Sequence, residues 1–389
     1  MTPAARYQAA IEILDQVLDG AAAEQALTAW GRRSRFAGSK DRAAVRDHVF
    51  QALRCLRSYA ALGGSRSGRG LILGGLREAG TDPDTVFTGE GHAPKPLSRE
   101  EKAPFAGFES KAAENDIPDW LWLDFASSLG AEAETAAQAL RSRAPVHLRV
   151  NTGKGTRDAA ITKLADEGIE AEVHVASATA LTVLEGARKV KNSKAFQTGL
   201  VELQDAASQA VVDAVPLSDG LKVLDYCAGG GGKSLALAAR AKLRLFAHDA
   251  DPKRMKDIAP RADRAGAKVK LLQPGEPKQN GPFDVVLCDA PCSGTGSWRR
   301  APEGKWRLDR DSLNHTLKVQ SQILDEAAAL VAPGGVLAYA TCSMLAQENR
   351  NQVDAFLART QGWTVEGEKA WFVHQGTDGF YIAVLRHVA

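Results

Sequence analysis

No Cys-x-x-Cys pair occurs in the chain, and its cysteines number five: Cys55, Cys227, Cys288, Cys292 and Cys342. Without paired spacing a zinc site is not expected, and an odd count argues against a disulfide framework. There is no apolar run long enough to span a bilayer and no recognisable signal peptide, so the expectation is a cytoplasmic protein with free thiols, no metal and no membrane. Charge of one sign is missing too: Lys+Arg 49 against Asp+Glu 47 leave a net charge of +2. A polyanionic partner must therefore be held by local basic patches. What is present, 389 residues of ordinary globular composition, is enough for two or three domains.

Residues 1 to about 143 read as helical, rich in Ala, Leu, Arg and Glu, with Ile11, Leu14, Val17 and Leu18 at helical spacing. A second helical segment starts at Ser39, the expected N-cap, with Val45, Val49, Leu53 and Leu56 along one face. Its other face carries Arg42, Arg46, Arg54 and Arg57, which fits either a solvated charged face or phosphate contact. GGSRSGRG at Gly63–Gly70 reads as a loop, either flexible or touching phosphate.

From Pro145 the texture changes. Val146–Asn151 alternates like a strand, Arg157–Glu167 reads as a helix and Ala171–Val175 alternates again, a small β-α-β module at 144–215 with Arg149 at a strand end. Residues 216–389 then alternate strands and helices. LKVLDYCAGGGGKSLALAA (Leu221–Ala239) is an apolar strand ending at Asp225, then four glycines, then Lys233 and Ser234 opening a helix. Glycines let a backbone pass close to a ligand, and a helix N-terminus favours its negative groups. Cys227 stands where a P-loop needs Gly, and Ser234 where the dinucleotide-binding pattern does, so both patterns fail. S-adenosylmethionine, a nucleoside cofactor without a phosphate chain, fits better. Asp249 ends the next strand at the offset of a ribose-binding carboxylate.

FDVVLCDAPCSGTGSW (Phe283–Trp298) is a short buried strand that stops on Asp289, Ala290, Pro291 and Cys292. A second strand end, PGGVLAYATCS, presents Cys342. Open α/β sheets bind their ligands at such carboxyl ends. Alone, Cys292 also fits a buried structural thiol. Arg299, Arg300, Lys305 and Arg307 lie among two tryptophans in WRRAPEGKWRL, a mixture that suits phosphate contact and base stacking, or a packed loop with solvated arginines. WFVHQ and FYIAVLRH suggest an antiparallel finish to the sheet.

An acid and two thiols beside a methyl-donor pocket answer the needs of cytosine chemistry. A thiolate adding to carbon 6 makes carbon 5 nucleophilic, an acid at ring nitrogen 3 eases the addition, and a second group assists release. LDYCAGGGGKS, DAPCSGTG, RRAPEGKW and YATCS, in that order, resemble the RNA (cytosine-5) methyltransferases of the Sun/RsmB type, from about Arg149 onward. SKDRAAVRDHVFQALR resembles the NusB-like RNA-binding domain of that family. The resemblance implies a Rossmann-like class I methyltransferase fold behind a β-α-β module and an all-α N-terminal domain. It further implies Cys342 as nucleophile, Cys292 in product release and Asp289 on the base. Asp225, the Cys227, Ala228, Gly229, Gly230, Gly231 and Gly232 loop, Lys233, Asp249 and Asp289 would hold S-adenosylmethionine, and Arg149, Arg299, Arg300 and Lys305 would meet RNA. Where the family usually has Ala-Pro this chain has Gly229 and Gly230, and in place of its Gly-Asp it offers Gln273 or Glu276. The expected substrate is 16S ribosomal RNA and the expected state a monomer. The alternatives are the same chemistry on transfer RNA or another RNA, or an RNA-binding assembly factor with a degenerate cofactor loop.

Overall fold

The computed structural model describes Met1–Val388. The chain forms two compact units, Met1–Arg143 with Trp298–Leu308, and Ala144–Ser297 with Asp309–Ala389. The first is helical. Its core is built from α1 (Pro3–Leu18), α2 (Ala23–Arg33), α3 (Ser39–Arg54), α4 (Leu56–Gly63) and α5 (Gly68–Glu78). The glycine-rich stretch read as a loop is the tight corner between α4 and α5. A Cβ on Gly74 would sit 2.0 Å from the Tyr59 carbonyl oxygen, and one on Gly63 would sit 1.8 Å from that of Gly70, so only glycine lets these backbones meet. Ser39 is the first helical residue rather than the cap. Gly38 caps α3, and its N–H donates to Asp41 at 3.1 Å. The buried Asp116 carboxylate accepts from the Arg57 and Ser58 N–H groups at the start of α4, at 2.8 and 2.9 Å.

The second unit holds two sheets. The smaller runs in the order β2-β3-β1-β4, from β1 (Val146–Val150), β2 (Glu170–Val173), β3 (Ala180–Glu185) and β4 (Val201–Leu203), with every pairing antiparallel. The β-α-β reading holds for β1, the helix Arg157–Ala165 and β2, and the structure adds β3 and β4 to it. β3 lies between β1 and β2, and its Ala180, Leu181 and Val183 are buried where most of β2 is exposed.

The larger sheet has seven strands in the order β10-β11-β9-β8-β5-β6-β7. They are β5 (Lys222–Asp225), β6 (Arg244–His248), β7 (Lys270–Leu272), β8 (Phe283–Asp289), β9 (Val331–Thr341), β10 (Trp363–Trp371) and β11 (Phe380–His387). Strands β7, β6, β5, β8 and β9 are parallel, and β11 and β10 close the sheet antiparallel. This is the Rossmann-like architecture of class I methyltransferases. Side chains alternate between the faces with period two. Val223, Val285, Leu287, Val336, Ala338 and Ile382 pack on one side with Val211 and Leu237. Leu224, Val286, Cys288, Leu337 and Tyr339 pack on the other with Leu324, Val353 and Phe356. The strand expected at Trp371–Gln375 is displaced: β10 ends at Trp371, and Val373–Gln375 is a 3-10 turn. β10 was hard to read because, apart from Trp371, its residues are half-buried or exposed. The long helix runs Arg310–Ala328, started by Asp309, which accepts from the Ser312 N–H at 2.7 Å.

Candidate active site

The carboxyl ends of β5, β8 and β9 are neighbours, so three loops converge there. After Asp225 the backbone turns through Tyr226–Gly231 before the helix Gly232–Arg240. Gly229 and Gly231 have φ of +50° and +78°, and a Cβ on Gly231 would lie 2.8 Å from Ile258, so both conformation and space call for glycine. The Gly229 N–H donates to Asp249 Oδ2 at 2.9 Å, and Arg254 pairs with the same carboxylate at 3.3 Å. Asp249 thus shapes the loop. Arg261 donates to the Gly230 carbonyl.

Inside the turn, Asp225 Oδ2 accepts from Ser234 Oγ at 2.6 Å, while the buried Oδ1 has no partner. Burial pushes this carboxyl up to about 7. A buried acceptor left open beside glycines and a helix N-terminus is the cradle a cationic nucleoside such as S-adenosylmethionine needs, and these residues fit it. Lys233 is buried, 2.6 Å from Asp289 Oδ2 and 4.8 Å from the Phe380 ring centroid. Burial holds the Cys227 thiol well above its ordinary value, so Cys227 stays protonated as a lining residue.

β8 and β9 are in parallel register with Asp289 beside Ala340, which puts Cys292 and Cys342 just past adjacent strand ends. Their sulfurs are 3.3 Å apart. The close approach is enforced by backbone: the Gly296 N–H donates to the Cys342 carbonyl at 3.0 Å, and the Gly379 N–H to the Gly296 carbonyl at 2.8 Å. A Cβ on Gly296 would meet the Gly379 oxygen at 2.1 Å. The two thiols are driven apart in acidity. The hydrogen bond from Cys292 pulls Cys342 below the ordinary thiol value, helped by the Lys233 ammonium and Ser297 and opposed by burial and Asp289. The same bond, burial and the nearby Glu348 carboxylate push Cys292 up. The arrangement therefore makes Cys342 the more acidic of the two neighbouring thiols.

Glu348 and Asn349, six and seven residues after Cys342, were not singled out from the sequence, yet both reach the site. Glu348 accepts from the Ser293 N–H at 2.7 Å and from Ser343 Oγ, and Asn349 Nδ2 donates to the Ser343 carbonyl at 2.9 Å. The available signal was a serine following each site cysteine.

Three of the cations expected to meet RNA are interior instead. Arg149 is buried and donates to Gln204 Oε1 at 2.5 Å and to the Gly232 carbonyl at 2.7 Å, so it buttresses the glycine loop. Lys305 is 1% exposed and donates to the Arg54 carbonyl at 2.9 Å, and burial pulls its ammonium down to about 8. Arg299 is buried and its carbonyl accepts from Arg54 Nε at 2.8 Å. Trp306 Nε1 donates to the Leu53 carbonyl at 2.7 Å. Lys305, Arg299 and Trp306 secure Trp298–Leu308 to the helical unit, and the alternation of basic and aromatic residues there reflects that packing. Arg300 alone of the set is exposed.

Comparison with known proteins gives the family. Residues 213–386 match the family model for the 16S rRNA methyltransferase RsmB/F, and residues 117–191 match its ferredoxin-like domain. The "Ribosomal RNA small subunit methyltransferase B" of Xanthomonas campestris pv. campestris is 33% identical over 304 residues, covering 73% of this chain and 69% of that protein. The chain belongs to the RsmB/F methyltransferase family. The protein of the same name from Citrobacter koseri is 37% identical over 278 residues, 70% of this chain and 64% of that one, so the match spans less than two thirds of that relative. The crystal structure of PH0851 superposes with a TM-score of 0.77 at 24% identity, covering 99% of each chain, a likeness of fold. Within the RsmB/F domain, every group of the cysteine and glycine loops described above falls inside residues 213–386. No helix among the described residues is long and apolar enough to cross a membrane, and no cluster of metal-ligating side chains occurs among them.

Proposed function

We propose that the protein is an S-adenosylmethionine-dependent RNA (cytosine-5) methyltransferase acting on small-subunit ribosomal RNA. The observation that carries the reading is the pair Cys292 and Cys342, 3.3 Å apart at adjacent strand ends, with Asp289 and Lys233 at the same rim. Cys342, the more acidic thiol, is the nucleophile: its sulfur bonds to cytosine carbon 6, and the electron pair released to carbon 5 makes that carbon reactive. Asp289 hydrogen-bonds the base edge, and Lys233 holds Asp289 in place and favours charge beside Cys342. S-adenosylmethionine, when bound, supplies an electrophilic methyl group. Cys292 serves in the final step, when the carbon-5 proton leaves and the bond from Cys342 to carbon 6 breaks. Asp225, the Cys227–Gly232 loop, Lys233 and Asp249 form the cofactor side.

The helical part, residues 1–143, is read as a NusB-like RNA-binding domain, and a cytoplasmic monomer is the working state. The test uses RNA from cells lacking the protein, incubated with it and labelled S-adenosylmethionine and then bisulfite-sequenced. One new 5-methylcytosine in small-subunit ribosomal RNA supports the reading. Label in transfer RNA alone changes the substrate, and no label in any RNA overturns the activity.

A further inference from the structure

Glu348 has no exposed surface, and no lysine or arginine pairs with it among the described residues. A carboxylate in that situation is costly unless hydrogen bonds replace water. Four donors converge on it. Oε1 accepts from the Ser293 N–H at 2.7 Å and from Gln320 Nε2 at 3.1 Å; Oε2 accepts from the hydroxyls of Ser293 and Ser343. Ser293 follows Cys292 and Ser343 follows Cys342, so one side chain is tied to both cysteine loops. Gln320 Nε2 also donates to the Pro291 carbonyl at 2.9 Å, on the other side of Cys292. Glu348 is itself fixed from the backbone, its carbonyl accepting from the Tyr339 hydroxyl at 2.7 Å.

We propose that Glu348 is a positioning residue for methyl transfer: its single carboxylate clamps the loop carrying Cys292 to the loop carrying Cys342. Four donors aimed at two oxygens require an acceptor with no N–H of its own, which a carboxylate is and an amide is not. The geometry has an electrostatic consequence. The groups facing the two sulfurs divide by sign: Lys233 and Ser297 favour a negative Cys342, opposed by Asp289, while the Glu348 charge disfavours a negative Cys292. Glu348 therefore holds the two cysteine loops at their spacing and adds, behind the hydrogen bond to Cys342 and burial, to what raises Cys292.

The proposal rests on the methyl-transfer reading, and its test has an arm independent of it. Iodoacetamide alkylation at pH 7.5, as about one pH unit below an ordinary free thiol, is followed by peptide mass spectrometry without RNA or cofactor. The parent should react first at Cys342. Glu348→Gln should shift the Cys342:Cys292 ratio by about tenfold toward Cys292 and lower kcat by about a hundredfold with KM for RNA little changed, since the loss falls on the reacting groups. Glu348→Asp should recover part of both. A folded Glu348→Gln protein with the parent's ratio and kcat overturns the proposal. If that variant does not fold, Ser293→Ala with Ser343→Ala removes the two hydroxyl links and is judged by the same two readouts. A parent that methylates no RNA, with Glu348→Gln still shifting the alkylation ratio, would sink the activity and leave the clamp standing.

Discussion

Replacing Asp225 by Asn should make the protein more stable at alkaline pH and less stable, or unchanged, in acid. The carboxyl is fully buried, and its value rises from 3.8 to about 7, chiefly through burial, with Asp289 and Asp249 adding to it and Ser234 and Lys233 opposing. Between those two values the native state keeps a proton that the unfolded chain has released. The unfolded state then binds fewer protons, so stability falls with rising pH, by about 1.4 kcal/mol per pH unit for one group. Across the window from 3.8 to about 7 the loss is on the order of 4 kcal/mol, and it is complete above the upper value. Asn does not titrate. It weakens the bond from Ser234 Oγ, now 2.6 Å long, at a cost of about 1 kcal/mol. The variant should therefore exceed the parent by roughly 2–3 kcal/mol at pH 8 and match or trail it at pH 4. Urea unfolding of both proteins at each pH measures the difference directly. A variant-minus-parent stability that is flat from pH 4 to pH 8 would refute a buried, proton-holding Asp225. At pH 8, above the value of about 7 where the carboxyl ionises, the same substitution should weaken S-adenosylmethionine binding in calorimetry, because the open Oδ1 would lose its charge.

Gly296→Ala should leave the protein folded but slow methyl transfer, since a methyl 2.1 Å from the Gly379 oxygen must push the Cys292 loop off the end of β9. Thermal unfolding should show a cost of about 1–3 kcal/mol, typical of overpacking, beside the loss in kcat. Lys305→Met should leave RNA affinity unchanged in a filter-binding assay, because the ammonium is given to the Arg54 carbonyl. The parent should also gain stability as pH rises from about 8 to 10.5, where the unfolded chain keeps a proton the native state has lost, and the Met variant should not.

The sequence made the seven-stranded half of the fold readable because its central strands are buried on both faces. Val285–Leu287 and Val336–Ala340 form apolar runs whose ends carry the reactive groups, and a parallel sheet brings such ends together whatever their separation along the chain. The glycine loop was equally legible, since Gly229 and Gly231 have conformations other residues rarely adopt. The half-exposed elements were not: β10 shows little apolar alternation, and β2 is an edge strand. Long-range hydrogen bonding was the other blind spot. Nothing local to Glu348 announces that Ser293, fifty-five positions away, donates to it. Burial likewise decides the fate of Arg149, Arg299 and Lys305, and charge in a sequence is silent on whether its partner is a phosphate or a backbone carbonyl.

The central claim, covalent attack on cytosine by Cys342 with release through Cys292, is tested most directly by incubating Cys292→Ala with small-subunit ribosomal RNA and S-adenosylmethionine. Attack survives in this variant while release does not, so a protein–RNA adduct stable to denaturing electrophoresis should accumulate. Digestion and mass spectrometry should place the link on Cys342, and adding Cys342→Ala should abolish both adduct and methylation. A Cys292→Ala protein that turns over normally without an adduct, or an adduct that persists without Cys342, would contradict the account.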